Sequence, residues 1–368
     1  MAVLVAIVAG CGGGAAGGSS EDVDEQDVGT VATAAEPTTS VSAGFDAAVL
    51  DGPIALESVG CEGGFDAGAL SGVDSVEEAI AALEQSGFDA TSVVCVVDPD
   101  GGNLRQVSAP GHEARFPGFT YDGASLYWYD VTDEEWMVAA TDGSDPQPWE
   151  SATDYPWRRS PDGSWYTNTS WGEPGFFVTK TGEEPSGPSR RHLVATADAC
   201  CDTFRWSPDG RSILFYSTAG PADCPRLMKV DVASGVQTAL TGDDSANGEA
   251  LICAEFDSAR WSPDGSSILF HDYDGVRPGP TPYLVDADGG NLRPLLPEGM
   301  VADPDWMATA SAWSPDGRAI LVGIVDSMSQ GSYLVPLDGS DLVRIGSNEA
   351  IALATATQFA WAPTQPSF

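Results

Sequence analysis

Seven cysteines, three histidines and two spaced aspartate runs are the residues of this chain whose types could do chemistry. Six of the cysteines, Cys61, Cys95, Cys200, Cys201, Cys224 and Cys253, follow an N-terminal segment that carries Cys11. They are even in number and contain no Cys-x-x-Cys pair, which favours disulfides over a thiolate metal site. His112, His192 and His271 fit no metalloprotease pattern, because His112-Glu113 runs on into Ala114, Arg115 and Phe116. The chain has neither a Gly-x-Ser-x-Gly nucleophile elbow nor a Gly-Lys-Ser/Thr phosphate loop. Asp98-x-Asp100-Gly-Gly-Asn103 and Asp286-x-Asp288-Gly-Gly-Asn291 space their carboxylates as calcium loops do. Neither is closed by a glutamate, and both fall where a hairpin has to turn, so they read as turn chemistry. His271-Asp272-Tyr273-Asp274 reads as an exposed acidic loop able to line a ligand face. Gly12-x-Gly14-x-x-Gly17 spells a dinucleotide fingerprint with no strand before it and no helix after it. No catalytic constellation emerges, and no cofactor or metal is expected.

The elements that position these residues come from an internal repeat. WSPDGRSILF (Trp206 to Phe215), WSPDGSSILF (Trp261 to Phe270) and WSPDGRAILV (Trp313 to Val322) are nearly the same phrase. Proline presets the second position of a type I turn, and glycine takes the left-handed conformation that closes it. Apolar residues alternate on both flanks, so each phrase is a β-hairpin with a tryptophan at its base. That tryptophan reads as packing between neighbouring sheets. A second hairpin follows each phrase, at Leu227 to Leu240, Tyr283 to Leu296 and Tyr333 to Ile345. Four strands per unit, repeated, is the pattern of a β-propeller blade.

Weaker copies stand at Phe119 to Gly123, Trp157 to Gly163 and Gln358 to Pro363. Val93 to Val107 matches the second hairpin at Tyr283 and has no first hairpin before it, whereas the phrase at Trp361 has no second hairpin after it. Together they make a blade shared by the two chain ends, and the expected fold is an all-β, six-bladed propeller over residues 91–368. Closing the ring removes free sheet edges, and a monomer is expected. Cys200, Cys201 and Cys253 are placed before the first strands of neighbouring blades and Cys224 between two hairpins. These loops share a face and are expected to hold two disulfides, while Cys61 with Cys95 would pin the preceding segment to the ring.

That segment, residues 45–90, holds a capping-box helix start at Ser75-Val76-Glu77-Glu78 and a stop at Gly87. Residues 11–44 are Gly/Ala/Ser-rich, then acidic, then Thr/Ala/Pro-rich, a composition that cannot bury a core and reads as a disordered tether. Residues 1–10 are an apolar leader. The formal net charge of −39 repels phosphate backbones, which excludes nucleic acid and admits basic partners or divalent cations.

The phrase Trp-Ser-Pro-Asp-Gly-x-x-Ile-x-Phe, followed by Asp-x-Asp-Gly-Gly-Asn-x-Arg, resembles the repeat of TolB-type propellers. Val8-Ala9-Gly10-Cys11 is similar to a bacterial lipobox, in which cleavage before the cysteine exposes a thiol that takes lipid. These resemblances imply an extracytoplasmic protein, lipid-anchored to the bacterial cell membrane through Cys11. Its expected function is a non-catalytic interaction module for a protein or polymer of the cell envelope. The alternative is a small-ligand or metal-binding propeller, with the central channel as an active site. The short segment 45–90 departs from the fuller N-terminal α/β domain of the Tol-system protein.

Overall fold

The Ser-Pro-Asp-Gly phrase folds as its turn chemistry dictates. In a computed structural model, Gly163, Gly210, Gly265 and Gly317 have φ between 68° and 71°. Their N–H groups donate to the carbonyls of Ser160, Ser207, Ser262 and Ser314 at 2.8–2.9 Å. Each serine hydroxyl then does two jobs. Ser262 Oγ donates to Asp264 at 2.6 Å and accepts the Ser267 N–H at 2.9 Å. The same pair of bonds recurs at Ser160, Ser207 and Ser314, and Thr120 makes it in the weaker copy.

The structure describes residues 51–58, 61, 91–149, 156–170, 173–194, 199–218, 224–241, 253–254, 258–272, 280–296, 307–325, 330–345 and 358–363. Cys11, the leader, the tether and the helix expected from Ser75 lie outside them. The described strands form six antiparallel sheets. β1 (Ile54–Ser58), β2 (Val93–Val97) and β3 (Arg105–Gln106) come first, followed by a blade of β4 (Ala114–Phe119), β5 (Ser125–Asp130), β6 (Glu135–Ala140) and β7 (Gln147–Pro148). The next sheet is β8 (Trp165–Ser170), β9 (Glu173–Lys180) and β10 (Arg191–Val194). Then come β11 (Ala199–Trp206), β12 (Ser212–Ser217), β13 (Arg226–Asp231) and β14 (Gln237–Ala239). A further blade holds β15 (Arg260–Trp261), β16 (Ser267–Asp272), β17 (Thr281–Asp286) and β18 (Arg293–Pro294). The last comprises β19 (Met307–Trp313), β20 (Ala319–Val325), β21 (Gln330–Pro336) and β22 (Val343–Ile345), and β23 (Gln358–Trp361) ends the described strands.

The shared blade has the order β23-β1-β2-β3. Its first hairpin is therefore split between the chain ends, with Ile54 opposite Trp361 and Glu57 opposite Gln358. This corrects the expected boundary at residue 91, because the ring already begins at β1. The five residues gave no hairpin to read, since β23, their partner in that hairpin, lies some three hundred residues away (Trp361 Nε1 to Asp51 O, separation 310). The second departure is at β8–β10, where the sheet has three strands. In place of an inner strand, an isolated bridge joins Arg159 to Tyr166. Arg159 occupies the position that tryptophan holds elsewhere, and Pro156–Arg158 form a 3-10 turn just before it.

Blades are tied to one another at two levels. The indole N–H groups of Trp206, Trp261 and Trp313 donate to the carbonyls of Arg158, Arg205 and Arg260, each one blade back, at 3.0–3.2 Å. Turns also nest. A Cβ placed on Gly265 would sit 3.6 Å from Pro208, and one on Gly317 would sit 3.5 Å from Pro263. At the closing seam the fit is tighter, since a Cβ on Gly123 would come within 2.5 Å of the Pro363 carbonyl. Apolar side chains fill the space between blades, as in the cluster of Phe176, Phe204, Trp206, Ile213 and Phe215.

The serine hydroxyl beside Asp264 holds its carboxyl below the ordinary value of 3.8, and Asp162 and Asp122 are lowered in the same way by Ser160 and Thr120. Lowered carboxyls stabilise the fold above their unfolded-state pKa, and this contribution is lost as pH falls through the folded-state value. Ser262→Ala should lower unfolding stability at pH 7 by about 1–2 kcal/mol, for loss of the bond to the Ser267 N–H and of the support to Asp264. Urea melts should show part of that difference vanishing on acidification below about pH 4. A variant as stable as the parent at pH 7 would refute the assigned turn network.

Candidate functional site

Two of the predicted cysteine groups are brought together. Cys61 and Cys95 form a disulfide with Cα atoms 5.8 Å apart, and Cys224 and Cys253 form another at 4.8 Å. Because Cys61 closely follows β1, the first bond lies within the shared blade and anchors the β1 end to β2. The second ties the segment entering β13 to the one leading into the next blade. Around it, the Ala254 N–H donates to the Pro225 carbonyl at 3.0 Å and the Cys253 N–H to Asp272 Oδ1 at 3.0 Å. Cys200 and Cys201 do not precede a first strand as expected. They lie inside β11, where Cys200 is opposite Tyr216.

The aspartate runs are turns. Asp98 accepts the Asn103 side-chain amide at 2.6 Å, and Asp100 accepts the Gly102 N–H at 2.8 Å. Asp288 does the same for Gly290 at 2.9 Å. His271 and Asp272 were expected in an exposed loop but end β16, only 6% and 8% exposed. Their strand pairs on through Pro282 and Thr281, which draws them inside. His271 Nε2 there lies 2.8 Å from Ser311 Oγ of the next blade.

The residues that sequence reasoning missed are on the two flanks of the blade β4–β7. Along β5 burial alternates, with Leu126, Trp128 and Asp130 inside and Ser125, Tyr127 and Tyr129 half-buried. The equivalent strands β12 and β16 are buried at five successive positions. The open flank of β5 faces the neighbour in which, among the described residues, three strands and a bridge are found. Tyr129 stands opposite Trp136 across the β5–β6 ladder, with ring centroids 5.2 Å apart. Trp157 of the 3-10 turn packs on Trp136 at 4.1 Å and on Tyr127 at 5.7 Å. A cleft of about 570 Å³ opens on the same flank, between Val138, Gln147, Trp149 and Arg159. The Arg159 guanidinium lies 5.9 Å from the Trp149 ring. The sequence signal for this seam was the displaced tryptophan in Trp157-Arg-Arg-Ser-Pro-Asp-Gly.

On the other flank, His112 Nδ1 lies 3.0 Å from Asp130 Oδ2 and 3.5 Å from Asp133 Oδ2. The hydrogen bond to Asp130 raises the His112 pKa, against a smaller desolvation effect. The Asp130 carboxyl is fixed from behind, since Oδ1 accepts the N–H groups of Thr132 and Asp133 at 3.0 and 3.1 Å. Asp130 also walls a cleft of about 500 Å³ shared with Gln106, Ser108 and Trp128.

The fold is that of TolB-type propellers. The chain superposes on TolB from Acinetobacter baumannii with a TM-score of 0.54 at 17% identity, covering 85% of this chain and 67% of that one. It superposes on Kuenenia stuttgartiensis hydrazine synthase with a TM-score of 0.51 at 12% identity, covering 85% of this chain and 46% of that one. A putative TolB from Agrobacterium tumefaciens matches with a TM-score of 0.47 at 17% identity, over 71% of this chain and 95% of that one. No family model and no curated protein matches the sequence. The likenesses to the Acinetobacter and Kuenenia proteins show the fold alone, and the six sheets are those of the chain itself.

Disulfide pairing makes a direct prediction. Alkylation of the unreduced protein followed by peptide mass mapping should leave Cys61, Cys95, Cys224 and Cys253 unlabelled and recover each pair as a linked peptide. Replacing Cys224 and Cys253 together by alanine should cost roughly 2–4 kcal/mol of unfolding stability. Labelling of all four cysteines without reductant would contradict the pairing.

Proposed function

We propose that this chain is an extracytoplasmic, lipid-anchored propeller that acts as a non-catalytic docking module for a protein of the cell envelope. The observation that carries the reading is the open seam beside β5, where Tyr127, Tyr129, Trp136 and Trp157 stand half-buried next to a cleft. Tyrosine, tryptophan and arginine are the side chains that dominate protein–protein hot spots, the aromatic pair because they bury much area with few rotors and arginine through its planar fork of donors. The surrounding charge of −39 selects a partner with a basic surface and speeds its approach. Two disulfides fit an oxidising compartment. The TolB-like architecture is compatible with an envelope role, and Val8-Ala9-Gly10-Cys11 supports export and lipidation at Cys11.

Photo-crosslinking from position 136 or 129 in cells should trap one envelope protein in stoichiometric yield. Trp136→Ala should weaken that complex by about 2 kcal/mol or more, while a substitution at the exposed Val236 should leave it intact. Equal capture by both variants would overturn the seam as the docking surface. Cys11→Ser should move the protein from the membrane to the soluble fraction, and unchanged fractionation would remove the anchor from the proposal.

A catalytic reading has one observation in its favour, the 2.8 Å contact between His271 and the Ser311 hydroxyl. A serine held by a histidine is the start of a nucleophile–base pair. The docking reading expects Ser311 to remain unmodified by a fluorophosphonate probe. Labelling that disappears in Ser311→Ala would transfer the assignment to hydrolysis.

A further inference from the structure

We propose that His112, Asp130 and Asp133 form a binding site for one first-row divalent cation, with the class of zinc as its natural occupant. The three donor atoms already lie within 4.8 Å of one another. Metal–nitrogen and metal–oxygen bonds of about 2.0–2.2 Å put neighbouring donors roughly 2.9–3.5 Å apart in octahedral or tetrahedral geometry. The two histidine–carboxylate separations, 3.0 and 3.5 Å, fall in that interval. Imidazole with two carboxylates is a borderline donor set, which favours zinc, manganese or iron(II) over calcium and magnesium.

The site has the supports that metal ligands require. Asp130 is 3% exposed and held from behind by two main-chain N–H groups, so that its second oxygen is aimed at His112. His112 and Asp133 are 31% and 55% exposed in their side chains, which leaves a path for the ion and positions open to water.

A second feature of this flank is an unpartnered buried donor. Trp128, 1% exposed, walls the same cleft as Asp130, and its buried indole N–H has no hydrogen-bond partner. The indoles of Trp206, Trp261 and Trp313, by contrast, each donate to a carbonyl. A buried donor left without a partner is costly, and this one belongs to a residue that borders the cleft beside Asp130. A cation held by Asp130 would stand at the wall of this cleft, with its remaining positions open to water. This site is on the opposite flank of the blade from the docking seam and stands without it.

The test is calorimetric titration of the exported, disulfide-intact protein with zinc chloride in millimolar magnesium, which occupies non-specific carboxylates. One equivalent should bind. His112→Ala and Asp133→Ala, both at exposed positions that spare the buried Asp130, should each weaken binding roughly 100-fold or more. His192→Ala should bind as the parent does. With cobalt(II) as the probe, the parent and His192→Ala should give a visible ligand-field band that the His112 and Asp133 variants lack. No zinc binding in magnesium, or equal binding in both site variants, would overturn the proposal.

Discussion

A buried indole N–H needs an acceptor, and for the tryptophans of the three full repeats the acceptor sits on the preceding blade. Trp206, Trp261 and Trp313 each reach back to the carbonyl of the residue just before the equivalent position of the preceding blade. The bond sets the distance and tilt between consecutive sheets. It works because the Ser-Pro-Asp-Gly turn holds the end of each inner hairpin in one conformation, so that the carbonyl is always presented alike. The nested Pro and Gly of adjacent turns then leave no room for a side chain at the closing seam. Ring geometry is thus a local rule applied repeatedly.

Where the rule lapses, the molecule opens. The blade β8–β10 has Arg159 where the full repeats have tryptophan and, among the described residues, three strands with one bridge in place of a fourth. The face of β5 turned toward it is the less buried one. Tyr127 and Tyr129 remain half-exposed and gather Trp136 and Trp157 against themselves. On its other face β5 meets the shared blade, and there Leu126 and Trp128 are packed as tightly as anywhere in the ring. The two flanks of a single blade consequently do different things, one presenting aromatic surface and the other a polar cleft.

The shared blade explains the placement of the first disulfide. A blade built from both ends of a chain is held only by β-ladder and packing, and it is the natural place for a propeller to open. Cys61–Cys95 locks the N-terminal part of it, while Trp361 bonds to the carbonyls of Asp51 and Gly52. Cys224–Cys253 performs a similar task between two interior blades, in a place where the connecting segment is long.

The repeat made the propeller, its six blades and its shared closing blade legible from residues alone, because turn chemistry and period-two patterning are local and recur. Cys61 with Cys95 was legible for the same reason, as a pairing left over once the others were placed on a common face. The contribution of Ile54–Ser58 was not, since a strand of five residues carries no signature of a partner at the far end of the chain. Nor could the sequence reveal His112 beside Asp130 and Asp133, and of the aromatic seam it showed only the displaced Trp157. Those depend on which flank of a blade a side chain takes and on how fully the neighbour covers it. Local chemistry determined the blades, and only packing between them decided which surfaces were left to do something else.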